Sequence, residues 1–389
     1  MNIARLFFVA IVAALWSAQA QTIGSVYIKN ATSVSVQFSD GTWNAFPGFG
    51  IDLNTGKRLV TATTGVNEHS VNSLVAKVSI DSGATWINQV TLRTPPAGYF
   101  SGSGDVTWSA SLNAFLIAYV EQKDDGSLYN VYVLICTIDG SNIASCPTAT
   151  LVSIPSGWKW IYFQGKIVVL ANGHFMVPFY GQLNSQTGSV TTTAVMFNTD
   201  GTATTWGGTI IVATGDATNF WNEANYRTIP ATYTNAGCVV GILRNDDSSD
   251  VNSGYWRTLS CTPESSWSAP TKVLSEVHAF VGEPQIVFMP LNAPAGGLFL
   301  MTRWQPSTST LWINLSFTGY GMSWDQGLTW QPMRNYAPGT GSGVLIQYWY
   351  ASCEQVPSTS NIACAVGLAF NNQTTRAWVQ YQEFTVGSP

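Results

Sequence analysis

Two eight-residue stretches, Ser79-Ile80-Asp81-Ser82-Gly83-Ala84-Thr85-Trp86 and Ser323-Trp324-Asp325-Gln326-Gly327-Leu328-Thr329-Trp330, share the pattern Ser-x-Asp-x-Gly-x-Thr-Trp. Each follows an apolar or alternating run such as Leu74 to Ile80, so each reads as the turn closing a β-hairpin. The Asp carboxylate can accept hydrogen bonds from the turn's own N–H groups, Gly supplies the positive φ, and Trp folds back as an apolar plug between neighbouring sheets. Asp81, Gly83, Trp86, Asp325, Gly327 and Trp330 are therefore structural residues; such a turn performs no chemistry.

Partial copies extend the pattern. Asn198-Thr199-Asp200-Gly201 running to Trp206 is the turn with an insertion, Ser260 to Trp267 keeps the outer spacing, and Thr137-Ile138-Asp139-Gly140 keeps only the turn. Starts at 79, 137, 198, 260 and 323 are spaced by 58 to 63 residues, the mark of one supersecondary unit used repeatedly. The intervening stretches are short β-rich runs punctuated by Gly, Asn, Ser and Pro, with no amphipathic helix. The first unit runs Phe49 to Leu53, Arg58 to Thr63, Leu74 to Ile80, then Ile87 to Leu92 after the turn: strands A to D.

Residues 1–20 read as a secretory signal, with Arg5, an apolar stretch from Leu6 to Trp16, and Ala18-Gln19-Ala20 before Gln21. That stretch is too short to span a bilayer, and no later segment has the length. The expectation is an exported, extracellular product with one domain over 21–389, room for about six units of roughly 61 residues. Charged residues make up only 10% of the chain, and the net charge is −5 with no Lys/Arg run. This argues against a nucleic-acid partner, which needs a basic face. Few charges with 16 Trp and many hydroxyls suit a neutral, hydroxyl-rich ligand, and equally a large all-β core.

The turns resemble the Asp boxes of the sialidase (neuraminidase) superfamily of β-propellers, and through the repeat the resemblance covers nearly the whole chain after the signal. It implies an all-β, six-bladed β-propeller of four-stranded antiparallel blades. Blade 2 would run from about Phe100 to Val152, blade 3 from Tyr162 to Val212, blade 4 from Trp221 to Val273 and blade 5 from Val281 to Met333. Blade 6 would begin near Tyr348 and end early, with Arg376 to Val386 as its third strand. Ser25 to Phe38, followed by a shortened box at Ser39-Asp40-Gly41-Thr42-Trp43, would supply that blade's outer part and hide the edges. Six cysteines in an exported chain favour disulfides; the repeat places Cys136–Cys146, Cys238–Cys261 and Cys353–Cys364 each between adjacent strands of one blade.

The boxes sit at C-to-D turns, so A-strand starts, B-strand ends and B-to-C loops share the opposite face, around the axis. Glu223 and Arg244 fall there in blade 4, Glu283 and Arg303 in blade 5. They read either as salt bridges locking strands A and B, or as guanidinium groups presented to a carboxylate. By resemblance, Glu223, Arg244 and Arg303 match the order of a sialidase site, and Tyr350 before Ala351-Ser352 matches its nucleophilic Tyr. A bare phenol with a pKa of about 10 needs a neighbouring base, which Glu223 would be. The blade 1 loop Gly65-Val66-Asn67-Glu68-His69-Ser70 lies where the family carries an acid/base Asp; Glu68 or His69 would serve, or the loop is simply solvated. Asp105 is a further candidate carboxylate. The family's first-blade Arg is missing, since Phe46-Pro47 stand there; Tyr226-Arg227-Thr228-Ile229-Pro230 has similar letters in the wrong blade. Trp160, Trp221, Trp304 and Trp349 fall on the same face, as sugar-stacking surfaces or as packing between blades.

His69, His174 and His278 are far apart, so no zinc site is expected, and Asp246, Asp247 and Asp250 read as a solvated loop rather than a Ca²⁺ site. Asn30, Asn314 and Asn372 are sequons. The reading is a secreted, monomeric, cofactor-free and metal-free glycoside hydrolase with a glycan partner and no membrane span. It would act on a terminal sugar, acidic if the arginines anchor it, with Tyr350 as nucleophile, Glu223 its base and Glu68 the acid/base. A non-catalytic carbohydrate-binding propeller and a polysaccharide lyase are the alternatives.

Overall fold

The computed structural model describes residues 27–39, 43–66, 73–126, 128–246, 253–274, 282–289, 297–304, 317–336, 346–370 and 377–387. They form six antiparallel blades of four strands each, the six-bladed β-propeller, with blades 6 and 1 joined at the seam into one eight-stranded sheet, and contain no α-helix. Blade 1 is Trp43–Ile51, Arg58–Gly65, Ser73–Ser79 and Ile87–Arg93; blade 2 is Tyr99–Ser109, Ala114–Lys123, Tyr129–Ile138 and Ala144–Val152. Blade 3 has a divided inner strand, Trp158–Phe163 with Val168–Val169, then Phe175–Leu183, Thr192–Asn198 and Gly207–Ala213. Blade 4 is Trp221–Thr228, Val239–Asn245, Gly254–Ser260 and Thr271–Val273; blade 5 is Gln285–Met289, Gly297–Trp304, Phe317–Ser323 and Arg334–Tyr336. Blade 6 is Ile346–Gln355, Asn361–Phe370 and Ala377–Gly387, completed on its outside by Tyr27–Val36.

Inner strands are buried on both faces, so they read as unbroken runs; every residue from Arg58 to Thr64 is buried. Outer strands such as Ile87–Arg93 keep partial exposure along their length. The core is a set of apolar layers between facing blades. Leu59, Leu74 and Ala76 of blade 1 meet Val106, Phe115 and Ile117 of blade 2, and Val287, Phe299 and Met301 of blade 5 meet Ile362, Val366 and Phe384 of blade 6. No single sheet could bury both of its faces alone, which is why the unit must repeat and close.

The two full Ser-x-Asp-x-Gly-x-Thr-Trp turns have the same internal bonding. Ser79 Oγ accepts from Gly83 N at 2.8 Å and donates to Asp81 Oδ1 at 2.9 Å, while Thr85 N donates to Asp81 Oδ1 at 2.8 Å. Ser323, Asp325, Gly327 and Thr329 repeat the set at 2.7 to 2.8 Å. The Thr85 hydroxyl and N–H hold the Asp81 carboxyl below the ordinary carboxylate range. In blade 3, Asn198 takes the Ser position, donating to Asp200 Oδ1 at 2.7 Å. In blade 4, where the Asp is lost, Ser260 Oγ donates to Ser266 O at 2.6 Å and the Cys238–Cys261 disulfide lies beside the turn. Cys136–Cys146 and Cys353–Cys364 are the other bridges, each between neighbouring strands of a blade.

Each full turn also docks on the preceding blade. Trp86 of blade 1 lies against Tyr381 of blade 6 at 5.3 Å, and Gln326 O of blade 5 accepts from Arg257 Nε of blade 4 at 2.7 Å. The ring closes between blades 6 and 1, where Arg58 pairs with Glu383 at 2.8 Å and also bonds the Tyr381 hydroxyl. Asn361 Nδ2 donates to the other Glu383 oxygen at 2.8 Å.

One strand differs from expectation. The inner strand of blade 1 starts at Trp43, six residues before Phe49. Trp43 is no box plug: it is fully buried, paired with Gly65 and, across the ring seam, with Ala377. The rest of the shortened box, residues 40–42, lies outside the described residues, as do the sequons at Asn314 and Asn372 and residues 1–26.

Candidate functional site: a pit at the propeller axis

Five of the six inner strands carry a β-bulge near their starts, at the face opposite the box turns. The register breaks fall between Ala45 and Gly48, Ser101 and Gly104, Trp158 and Trp160, Trp221 and Ala224, and Tyr348 and Ala351. A bulge sets two residues against one on the partner strand and re-aims a side chain. Here the bulges of blades 1, 4 and 6 hold Phe46, Glu223 and Tyr350, and all three line one cavity of about 190 Å³ at the axis.

At its centre Tyr350 Oη donates to Glu223 Oε1 at 2.7 Å. The other Glu223 oxygen accepts from Arg244, whose Nε donates to Asp246 Oδ1 at 2.7 Å. Burial would lower the Arg244 pKa, but Glu223 and Asp246 outweigh it and raise it well above the ordinary arginine value. Glu223 is 6% exposed and Tyr350 half-buried. The remaining walls are largely aromatic, with Phe100, Tyr129, Tyr162 and Tyr180 facing Phe46 and Tyr350. Burial pushes the Tyr162 and Tyr180 phenols above their ordinary pKa, so both remain neutral hydrogen-bonding groups.

A smaller recess lies beneath, lined by Asp105, Gln164 and Glu283 together with Phe46 and Tyr350. Glu283 accepts from Gln164, and from Gln285 Nε2 at 2.6 Å. Burial, then the charges of Asp105 and Glu223, push its carboxyl well above the ordinary range. Asp105 Oδ1 accepts from Ser352 Oγ at 2.6 Å and lies 3.3 Å from Lys166 Nζ.

Lys166, fully buried, closes the axis below the recess. Its ammonium donates to Phe49 O, to Val106 O at 2.6 Å, and pairs with Glu354 at 3.1 Å. Arg227 joins Glu354 from blade 4 at 3.3 Å and donates to Ile286 O and Cys353 O at 2.8 and 2.9 Å. Burial would raise the Glu354 carboxyl, but Arg227 and Lys166 outweigh it and hold it below the usual range.

The structure thus brings Tyr350, Glu223, Arg244, Glu283 and Asp105 to one axis. Glu283 is engaged by Gln164 and Gln285. Arg303 is on strand B of blade 5, paired with Thr318; its side chain, like those of Trp304 and Trp349, lies outside the described residues, as do Glu68, His69, His278, Asp247 and Asp250. Trp221 is not a sugar platform: it is buried with Val212 and Ala213 of blade 3, its Nε1 donating to Thr214 O at 3.2 Å. Trp160 stands behind the wall, packed on Tyr129 and Tyr180 at 5.1 and 6.0 Å. Asp246 is taken by Arg244 and Asn222, His174 pairs with Glu264, and among the described residues no three metal-ligating side chains cluster. Sequence reasoning missed Tyr129, Tyr162, Tyr180 and Lys166. A Lys within Gln164-Gly165-Lys166-Ile167 was the one signal for the last.

No family model and no curated protein matches the chain by sequence. Solved structures match its fold. The Hadza microbial sialidase Hz136 aligns with TM-score 0.66 at 12% identity, over 92% of this chain and 68% of that one. The α-L-arabinofuranosidase arb93a of Fusarium graminearum aligns at 0.61 and 11%, over 92% and 97%. The parainfluenza virus 5 hemagglutinin-neuraminidase ectodomain aligns at 0.58 and 9%, over 99% and 95%. The chain therefore has the six-bladed propeller fold found in sialidases, neuraminidases and arabinofuranosidases; at these identities the likeness is one of fold.

Proposed function

We propose that the protein is a glycoside hydrolase that removes a terminal sugar bound in the axial pit. The observation that carries this reading is the 2.7 Å hydrogen bond from the Tyr350 hydroxyl to Glu223, inside a concave aromatic-walled cavity. A phenol becomes a useful nucleophile when an adjacent base takes its proton as the bond to carbon forms. Glu223 is placed for that, with its second oxygen fixed by Arg244, so its lone pair stays aimed at Tyr350. Attack by the Tyr350 oxygen on the anomeric carbon would break the glycosidic bond, the aglycone leaving with a proton from the general acid, and give a covalent glycosyl–enzyme. Water, deprotonated by the same group, would then displace the Tyr350 oxygen, which regains its proton from Glu223, and release the sugar with retained configuration. Support for a sugar as the guest comes also from structures of similar fold, among them a sialidase and an α-L-arabinofuranosidase complexed with arabinobiose. The exported location and the monomeric state belong to the same proposal.

The test is turnover of a panel of aryl glycosides with product stereochemistry followed by NMR. Tyr350→Phe and Glu223→Gln should each lower kcat by about 10²–10⁴-fold; wild-type rates in both variants would remove the reading. For the leaving-group proton, Glu68 is the residue proposed. Glu68→Gln should slow alkyl glycosides far more than 4-nitrophenyl glycosides, whose leaving group needs no proton. Specific sugar binding without turnover would select the non-catalytic alternative.

A further inference from the structure

Resting on that reading, we infer that Asp246 and Asn222 are positioning residues for the base, acting on Glu223 through Arg244. Asn222 and Glu223 share the blade 4 bulge, where the register with strand B breaks between Trp221 and Ala224. A bulge gives up ladder hydrogen bonds, so the strand alone holds its extra residues loosely. Here a closed ring of side chains takes over that task. Arg244 donates to Glu223 Oε2 and, through Nε, to Asp246 Oδ1 at 2.7 Å; Asp246 Oδ2 accepts from the amide of Asn222, the chain neighbour of Glu223. The ring is anchored outside itself as well. Thr191 Oγ1, from the B-to-C loop of blade 3, donates to Asn222 Oδ1 at 2.9 Å, Trp221 N donates to Thr191 O at 3.2 Å, and Asp246 N donates to Phe220 O at 3.0 Å. A carboxylate at 246 accepts only, so it fixes the Asn222 amide with its NH₂ toward Asp246 and its oxygen toward Thr191.

The ring also divides one positive charge between two carboxylates. A guanidinium given over to Glu223 alone would favour the carboxylate over its protonated form and so weaken it as a base. Asp246, on the other edge of the same guanidinium, offsets part of that charge. Glu223 is faced besides by the Tyr350 hydroxyl from blade 6, the Tyr162 and Tyr180 phenols from blade 3 and the Glu283 carboxyl before strand A of blade 5. Arg244 is faced by Glu223, Asp246 and Tyr350. The described wall of the cavity includes Glu223 and neither Asp246 nor Asn222, so a change at either of these two reaches the reaction through the base. Asp246 supplies charge and geometry, Asn222 geometry alone.

The experiment uses the full chain and a 4-nitrophenyl glycoside whose turnover Tyr350→Phe abolishes. It compares Asp246→Asn with Asn222→Ala, each checked for folding by circular dichroism. Both should lower kcat by about 10-fold or more, because a base out of line costs rate, with KM within about 3-fold of the wild type. In Asp246→Asn the acidic limb of kcat/KM should also move to lower pH by about 0.5 or more. In Asn222→Ala, which keeps both carboxylates, the limb should stay in place. Wild-type kcat in either folded variant, or a loss that appears in KM instead, overturns the positioning role and leaves the hydrolase reading intact. An acidic limb unmoved in Asp246→Asn does the same for the division of charge. Should Asp246→Asn not fold, kcat of Asn222→Ala decides the positioning role. Absence of Tyr350-dependent turnover of any glycoside overturns the hydrolase reading and this one together.

Discussion

Gly56 and Gly83 both occupy left-handed backbone, at φ +75° and +89°, yet they should respond differently to a methyl group. Around Gly56 nothing lies within 4 Å of an added Cβ, whereas at Gly83 it would sit 2.2 Å from the Tyr381 ring. Gly56→Ala should cost only the left-handed penalty, about 1–2 kcal/mol. Gly83→Ala adds overpacking of roughly 1–3 kcal/mol, because the box must seat flush on blade 6. Urea denaturation of the two variants checks this; equal losses would mean that the box is not pressed against Tyr381. This residue was legible in the sequence for its φ, through the Ser-x-Asp-x-Gly-x-Thr-Trp spacing, but its second constraint comes from a side chain 298 positions away and could not be read. Phe46 was noticed only as the absence of an arginine. The bulge that turns it into the pit leaves no local signature, and for the same reason the start of its strand was placed six residues late.

At the scale of elements, the seam between blades 6 and 1 depends on one carboxylate. Glu383 accepts from Arg58, from the Tyr381 hydroxyl at 2.7 Å and from Asn361. Burial would raise its pKa, but these bonds outweigh it and the folded value is lowered. A carboxyl depressed in the folded state stabilises above its unfolded value of about 4.3 and loses that contribution as the pH falls through the lower folded value. Stability of the wild type should therefore decline as the pH drops below about 4.3, and Glu383→Gln, already weaker at pH 7, should decline less steeply. Guanidinium melts at pH 6 and 3.5 check the sign; parallel curves would remove Glu383 from the acid response. The strands here were legible from period and turn residues, since each blade is a local antiparallel meander. The contacts between blades were not, because they join residues from different repeats.

For the whole molecule, Tyr27–Val36 is the one strand taken from the opposite end of the chain, paired along Ala377–Gly387. Without it the third strand of blade 6 presents an unpaired edge, the template on which sheets associate. Deleting residues 21–38 should lower Tm by about 10 °C or more, and give oligomers on size exclusion. A monomer of unchanged Tm would show that the seam holds without this strand. The expectation that the N-terminus completes the last blade came from the early end of blade 6, a shortage visible in the repeat itself.

Lys166 and Arg227 have a consequence for how the molecule comes apart. One ammonium from blade 3 touches blades 1, 2 and 6, one guanidinium from blade 4 touches blades 5 and 6, and both grip Glu354. Stacked repeats that contact only their neighbours can fray from an end. Here no sector can leave alone, since its departure strands a buried charge belonging to the others. Heat or denaturant should find a single all-or-none transition, and a mechanical pull on one terminus a load shared by every wedge of the wheel at its hub.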